Sequence, residues 1–204
     1  IYLQNGGTWN NEWIGMERPT PKRERPSGDN AAYLYKGSKV RNLVGGVNPT
    51  AAGNIHPIDA RPITIQNYSG YVNAIYKSGV PASEAGKGQI VVEHAADNSH
   101  ITVQGEHSGN TIDEVSYKKE IQALANKLQY TGNDKKLSTT VQINEGITSP
   151  GAVAELGADH FDSQGRLVVN DTTKINRASE SSLVSGSKSA LTSTAMAWKS
   201  NTND

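Results

Sequence analysis

Cysteine is absent from the 204 residues, which excludes a disulfide framework and any thiolate metal site. That absence does not fix a compartment, but it suits a chain that crosses a cell envelope unfolded. Apolar residues are also scarce, at 35% of the chain, with aromatics at 6% and a single Phe. A large compact enzyme core is therefore not expected. Charge of one sign is not in excess: 20 Lys and Arg face 20 Asp and Glu. The balance argues against nucleic acid or an anionic membrane surface as a partner. No apolar run approaches the roughly 20 residues of a membrane-spanning helix, and no signal peptide is present. The chain opens on Ile1 inside a strand-like pattern, so it is expected to be a fragment with its targeting segment upstream.

Glycine, Asn, Ser and Thr are abundant, and they punctuate short alternating runs. Ile1 to Gln4 alternates, Asn5-Gly6-Gly7 turns, and Thr8-Trp9 restarts a strand. Ala32 to Tyr35 leads through Lys36-Gly37-Ser38 to Val40–Val44 and Gly45-Gly46. Ile63 to Gln66 precedes a turn at Asn67 to Gly70 and a second strand from Tyr71 to Tyr76. Ile90 to Glu93, a turn at Asp97-Asn98 and Ile101 to Gly105 repeat the scheme, as does Thr140 to Ile143 before Asn144-Glu145-Gly146. Asn and Gly supply the left-handed backbone of such turns. The spacing, on the order of 20–30 residues, predicts a degenerate solenoid whose stacked rungs share a narrow core.

Two loops interrupt the pattern. Glu17 to Pro26 is charged and contains Pro19, Pro21 and Pro26; proline donates no ladder hydrogen bond, so this is not an interior strand. Pro81 to Gly88 is the second loop. Two segments change from period 2 to period 3.6. Tyr117, Ile121, Leu124 and Leu128 fall at helical spacing, with Asp113 as N-cap, Glu114 in the first turn and Gly132 beyond the end. Ala178 to Trp198 carries a weaker stripe of Leu183, Leu191, Ala195 and Trp198, diluted by serines. Such a helix is marginal alone in water.

Three stretches resemble bacterial autotransporters of type V secretion. Asn5-Gly6-Gly7-Thr8-Trp9 looks like the turn-and-tryptophan unit of their β-helix rungs. Lys119 to Thr131, with Val141 to Ser149, is similar to a segment near the passenger end. Ser189 to Lys199, then Asn201 and Asp204, looks like the helical linker that threads the translocator barrel. The Gly-Asp-Ser-Gly motif of the protease subgroup is not in the sequence. The resemblance implies an all-β, right-handed parallel β-helix with one short inserted helix and a C-terminal helical tail. It divides the chain into β-helix rungs at 1–111, autochaperone-like terminal rungs at 112–172, and a linker at 173–204. It implies a non-catalytic stalk and folding template of an adhesin, anchored at the outer membrane and exposed on the cell surface. Its partners would be a host or bacterial surface ligand, reached through the upstream passenger, and its own downstream barrel. A monomer without cofactors is expected.

Residues with possible chemistry carry weaker signals. His94, His100 and His107 are close in sequence, but their spacing fits no zinc signature; His56 and His160 are more distant. Glu93 with Glu106, and Asp159 with Asp162, are the carboxylates a β-helix lyase or hydrolase, or a phage tailspike relative, would use. This glycan-degrading enzyme is the alternative reading. Ser116 to Lys119 and Ser185 to Lys188 fit Ser-x-x-Lys, but the companion motifs of serine acyl-enzymes are missing. Asp97-Asn98 and Asn133-Asp134 read as turn formers rather than calcium ligands. Trp9, Trp13, Tyr33, Tyr35, Tyr68, Tyr71 and Tyr76 read as core or stacked ladder residues rather than a sugar platform.

Overall fold

The computed structural model describes residues 1–11, 37–58, 61–76, 88–107, 113–144 and 151–177. Its elements are β1 (Thr8–Asn11), β2 (Ser38–Val44), β3 (Gly53–Pro57), β4 (Ile63–Ser69), β5 (Tyr71–Ile75), β6 (Ile90–Ala95) and β7 (Ser99–Glu106), then α1 (Glu114–Ala125), β8 (Leu128–Tyr130), β9 (Leu137–Asn144), β10 (Ala152–Leu156) and β11 (Asn176–Arg177). The chain is mostly sheet, with few helices and no closed barrel among the described residues. From β1 to β9 the odd and even strands belong to different sheets. One runs β1-β3-β5-β7-β9-β10-β11 and the other β2-β4-β6-β8. Every pairing up to β9 is parallel; β10 on β9 and β11 on β10 are antiparallel.

The register explains why these sequences form strands. Ile63, Ile90 and Leu128 align across three neighbours, as do Ile65, Val92 and Tyr130. On the other sheet Val72, Ile101 and Thr139 align, and so do Ala74, Val103 and Val141. All of these side chains are buried. Each large apolar one contributes roughly 1.5–3 kcal/mol by leaving water. The alternate positions lie on the opposite face of the sheet and carry amides in contact: Asn73, itself buried, donates to Asn54 at 3.0 Å, and Asn144 donates to the buried Gln104 at 3.0 Å. Trp9 is partly buried against the core.

Several boundaries differ from the sequence expectation. The turn expected at Asn67 to Gly70 shrinks to Gly70, which has a φ of +84°; β4 runs on through Ser69 because Asn67 and Tyr68 pair with His94 and Ala95. The helix has its expected N-cap, with the Asp113 carboxylate accepting from the Ser116 N–H at 2.8 Å. It ends at Ala125, however, and Leu128 leaves the helical stripe to enter β8 opposite Ile90. Gly132 is therefore not a helix terminator. It follows β8, where a side chain would strike the Tyr130 ring. Strands β3, β8, β10 and β11 were not expected. The expected loop at Glu17 to Pro26, the expected loop at Pro81 to Gly88 apart from Gly88, the expected strand at Ala32 to Tyr35 and the expected helix at Ala178 to Trp198 lie outside the described residues.

A second buried cluster sits where the parallel ladder stops. Tyr117, Ile121 and Ala125 of α1 pack with Val141 and Ile143 of β9, Ala152, Ala154 and Leu156 of β10, and Leu167. Gly105 leaves space for Leu124 to approach β7.

Candidate functional site

Four adjacent strands of the larger sheet bring polar side chains together on the face opposite the buried rows. His100 on β7 lies opposite Tyr71 on β5 and Ser138 on β9; Thr140 on β9 lies opposite Glu155 on β10. His100 Nδ1 is 2.7 Å from Ser138 Oγ, and its Nε2 is 2.8 Å from Thr140 Oγ1. Thr140 donates to Glu155 Oε2 at 2.8 Å. The Tyr71 ring stacks on the imidazole with centroids 5.5 Å apart.

The Glu155 carboxylate orders the protons along this row. A carboxylate only accepts, so the Thr140 hydrogen points to Glu155 and Thr140 must accept from Nε2–H. Nδ1 is then bare and accepts from the Ser138 hydroxyl. The alternative acceptor for that hydroxyl, the Ser99 carbonyl, is longer at 3.4 Å. Burial pushes His100 below its ordinary pKa, and the Glu155 carboxylate opposes part of that shift. The imidazole is accordingly neutral at neutral pH.

The other expected positions lie apart. His94 is exposed on β6 of the smaller sheet. His107, beyond β7, pairs through Nδ1 with Glu120 Oε2 at 2.5 Å and packs on the Tyr117 ring at 5.0 Å, tying the strand end to α1. Among the described residues no group of three or more His, Cys, Asp or Glu side chains is placed to hold a metal. Glu93 lies on β6 and Glu106 at the end of β7, in different sheets. Asp159 is in a single 3-10 turn, and Asp162 accepts from the Gln164 and Arg166 N–H groups at 2.8 and 2.9 Å. Those backbone donors hold its carboxyl below the ordinary range.

Ser116 and Lys119 are both on α1; Ser185 and Lys188 lie outside the described residues, as do Trp13, Tyr33 and Tyr35. Asn98 has a φ of +61° and forms the β6–β7 turn. Tyr68 is buried and donates to the His100 carbonyl at 2.6 Å, and Tyr76 is buried and donates to the Gly88 carbonyl at 2.8 Å.

The two ends of the parallel ladder differ. Among the described residues strand β1 pairs only with β3, and none of them pairs with its other edge. The opposite end is covered twice. On the larger sheet, β10 lies antiparallel to the last parallel strand, and β11 lies antiparallel to β10. On the smaller sheet, Gln129 of β8 bridges antiparallel to Arg166, and the Tyr130 N–H donates to the Gly165 carbonyl at 2.8 Å. Phe161 meets the Tyr130 ring edge-on at 5.4 Å. No described helix is long and apolar enough to cross a membrane. No family model, curated protein or solved structure matches the chain.

Proposed function

We propose that the chain forms the last rungs of a right-handed parallel β-helix and serves as the stalk and folding template of a bacterial autotransporter passenger, an adhesin at the outer membrane. The observation that carries this reading is the asymmetry of the larger sheet: among the described residues no strand pairs with the outer edge of β1, whereas the other end is sealed. A parallel strand edge is a template for the next parallel strand. Reversal at β10, with α1 filling the second cluster, stops propagation in that direction. A terminal unit with one blocked end can seed a solenoid that grows from the other. The right-handed sense follows from the general preference of parallel crossovers.

Further support comes from the residues that resemble the family. Asn5 and Gly6 take positive φ values of 51° and 81° at the turn before β1. The stretch from Lys119 to Thr131 supplies part of α1 and all of β8. In this reading the chain is structural rather than catalytic, the surface ligand is met by the upstream passenger, and the barrel follows downstream. A glycan-degrading β-helix would need its carboxylates in one groove. Glu93 and Glu106 are on different sheets, so that reading ranks second.

Folding kinetics test the template role. Leu137→Ala in β9 is expected mainly to slow refolding, whereas Ile55→Ala in β3 is expected mainly to speed unfolding. Stopped-flow chevrons report both. If Ile55→Ala slows refolding as much as Leu137→Ala, the terminal rungs do not form first and the template role is lost. Deleting residues 112–172 should also prevent the strands of 1–111 from becoming protease-resistant; unchanged folding would equally sink it.

A further inference from the structure

We infer that Ser138 is a nucleophilic serine that takes an acyl group from a small carboxylic ester, with His100 as its base. This stands on the four-strand geometry alone and is independent of the stalk reading. Ser138 and His100 are each partly exposed, whereas Thr140 beside them is buried. Its hydrogen already points at the bare Nδ1, 2.7 Å away. When Nδ1 takes that proton the imidazole becomes cationic, and the charge is met without rearrangement. Nε2–H already donates to Thr140, which already donates to the Glu155 carboxylate. A nucleophile, a base and a group orienting the base are thus connected in sequence. Tyr71 stacks on the ring and holds its plane.

In the acyl transfer, the Ser138 oxygen bonds to the ester carbonyl carbon while its proton passes to His100 Nδ1. The bond from that carbon to the alcohol oxygen then breaks, and the alcohol leaves with the proton from His100. Backbone N–H groups in the middle of a sheet are committed to neighbouring strands and do not form an oxyanion hole. Loss of one such donor costs about 10²–10³ in rate elsewhere. Acylation is therefore expected to be slow and stoichiometric, and the ester to be a small, activated one.

A fluorophosphonate tests this on the full chain. The Ser138 oxygen would bond to phosphorus, the P–F bond would break, fluoride would leave, and the proton would pass through His100 to solvent. Peptide mapping by mass spectrometry should find the adduct on Ser138. It should be lost in Ser138→Ala and slowed on the order of 10²-fold in His100→Gln. The rate should fall as pH drops through the His100 pKa, and Glu155→Gln should slow it while leaving the circular dichroism unchanged. Should His100→Gln fail to fold, Glu155→Gln decides. No adduct on Ser138, or labelling at the wild-type rate in either base-side variant, overturns the proposal.

Discussion

Gly165→Ala should open the seal over the smaller sheet, and comparison with Gly6→Ala separates its two causes. Both glycines are left-handed, with φ of +78° at Gly165 and +81° at Gly6. An L-residue there costs roughly 1–2 kcal/mol. A Cβ on Gly6 would meet nothing within 4 Å, so Gly6→Ala should cost only that backbone term. A Cβ on Gly165 would lie 2.1 Å from the Tyr130 carbonyl oxygen, a backbone atom that cannot rotate away. The chain must move, and the 2.8 Å bond from the Tyr130 N–H to the Gly165 carbonyl moves with it. Tyr130 is 2% exposed, and a buried N–H left without a partner costs about 1–3 kcal/mol. Together the two effects predict about 2–5 kcal/mol for Gly165→Ala. Urea unfolding gives both values, and amide exchange at Tyr130 gives the local effect. If Gly165→Ala loses no more than Gly6→Ala, or the Tyr130 amide stays protected, residues 161–167 do not seal β8 as described.

Removing the Ile121 side chain tests whether α1 is part of the core rather than an appendage. Ile121 is fully buried, so Ile121→Ala should cost about 2–5 kcal/mol in urea unfolding; a loss under about 0.5 kcal/mol would refute that packing. A pH series tests the burial of His100, which faces Tyr71 from β5, Ser138 and Thr140 from β9 and Glu155 from β10. Its folded pKa is lowered, so on acidification below about 6.5 the unfolded chain binds the proton first. Stability from this group is complete above that pH and declines as pH falls towards the folded value. His100→Gln should flatten that limb of the urea-midpoint curve, and an unchanged slope would contradict the assigned burial.

The parallel ladders were legible where a strand carried both alternation and β-branched residues. Ile63-Thr64-Ile65 and Ile101-Thr102-Val103 show the inner face directly, since Ile63, Ile65, Ile101 and Val103 are all buried. Strand β3 was not legible because Gly53, His56 and Pro57 are weak strand formers; its pairing with β1 and β5 holds it extended. Strand β10 is rich in alanine, which reads as neither strand nor helix core until Ile143 and Val141 of β9 lie opposite Ala152 and Ala154. Leu128 shows why period alone misassigns a boundary. It is one helical repeat beyond Leu124 and also begins a strand alternating to Tyr130. Burial satisfies both patterns, and the partner Ile90 decides between them.

The outer-face cluster was illegible for a different reason. Ser138 and His100 are separated by 38 positions, and nothing local to either sequence specifies the distance. That offset is set by α1 and β8, inserted between β7 and β9. Add or remove one residue in that stretch without changing the β7–β9 register, and His100 still meets Ser138; slip the register by one, and Ser138 turns to the buried side. The geometry is therefore a property of register, which the buried rows enforce. Ile101 opposite Thr139 and Val103 opposite Val141 keep β7 and β9 aligned, and the polar row on the other face follows from that alignment. The core thus does more than stabilise the strands: it places a serine, an imidazole, a hydroxyl and a carboxylate within hydrogen-bond reach, although none of them is marked out by its local sequence.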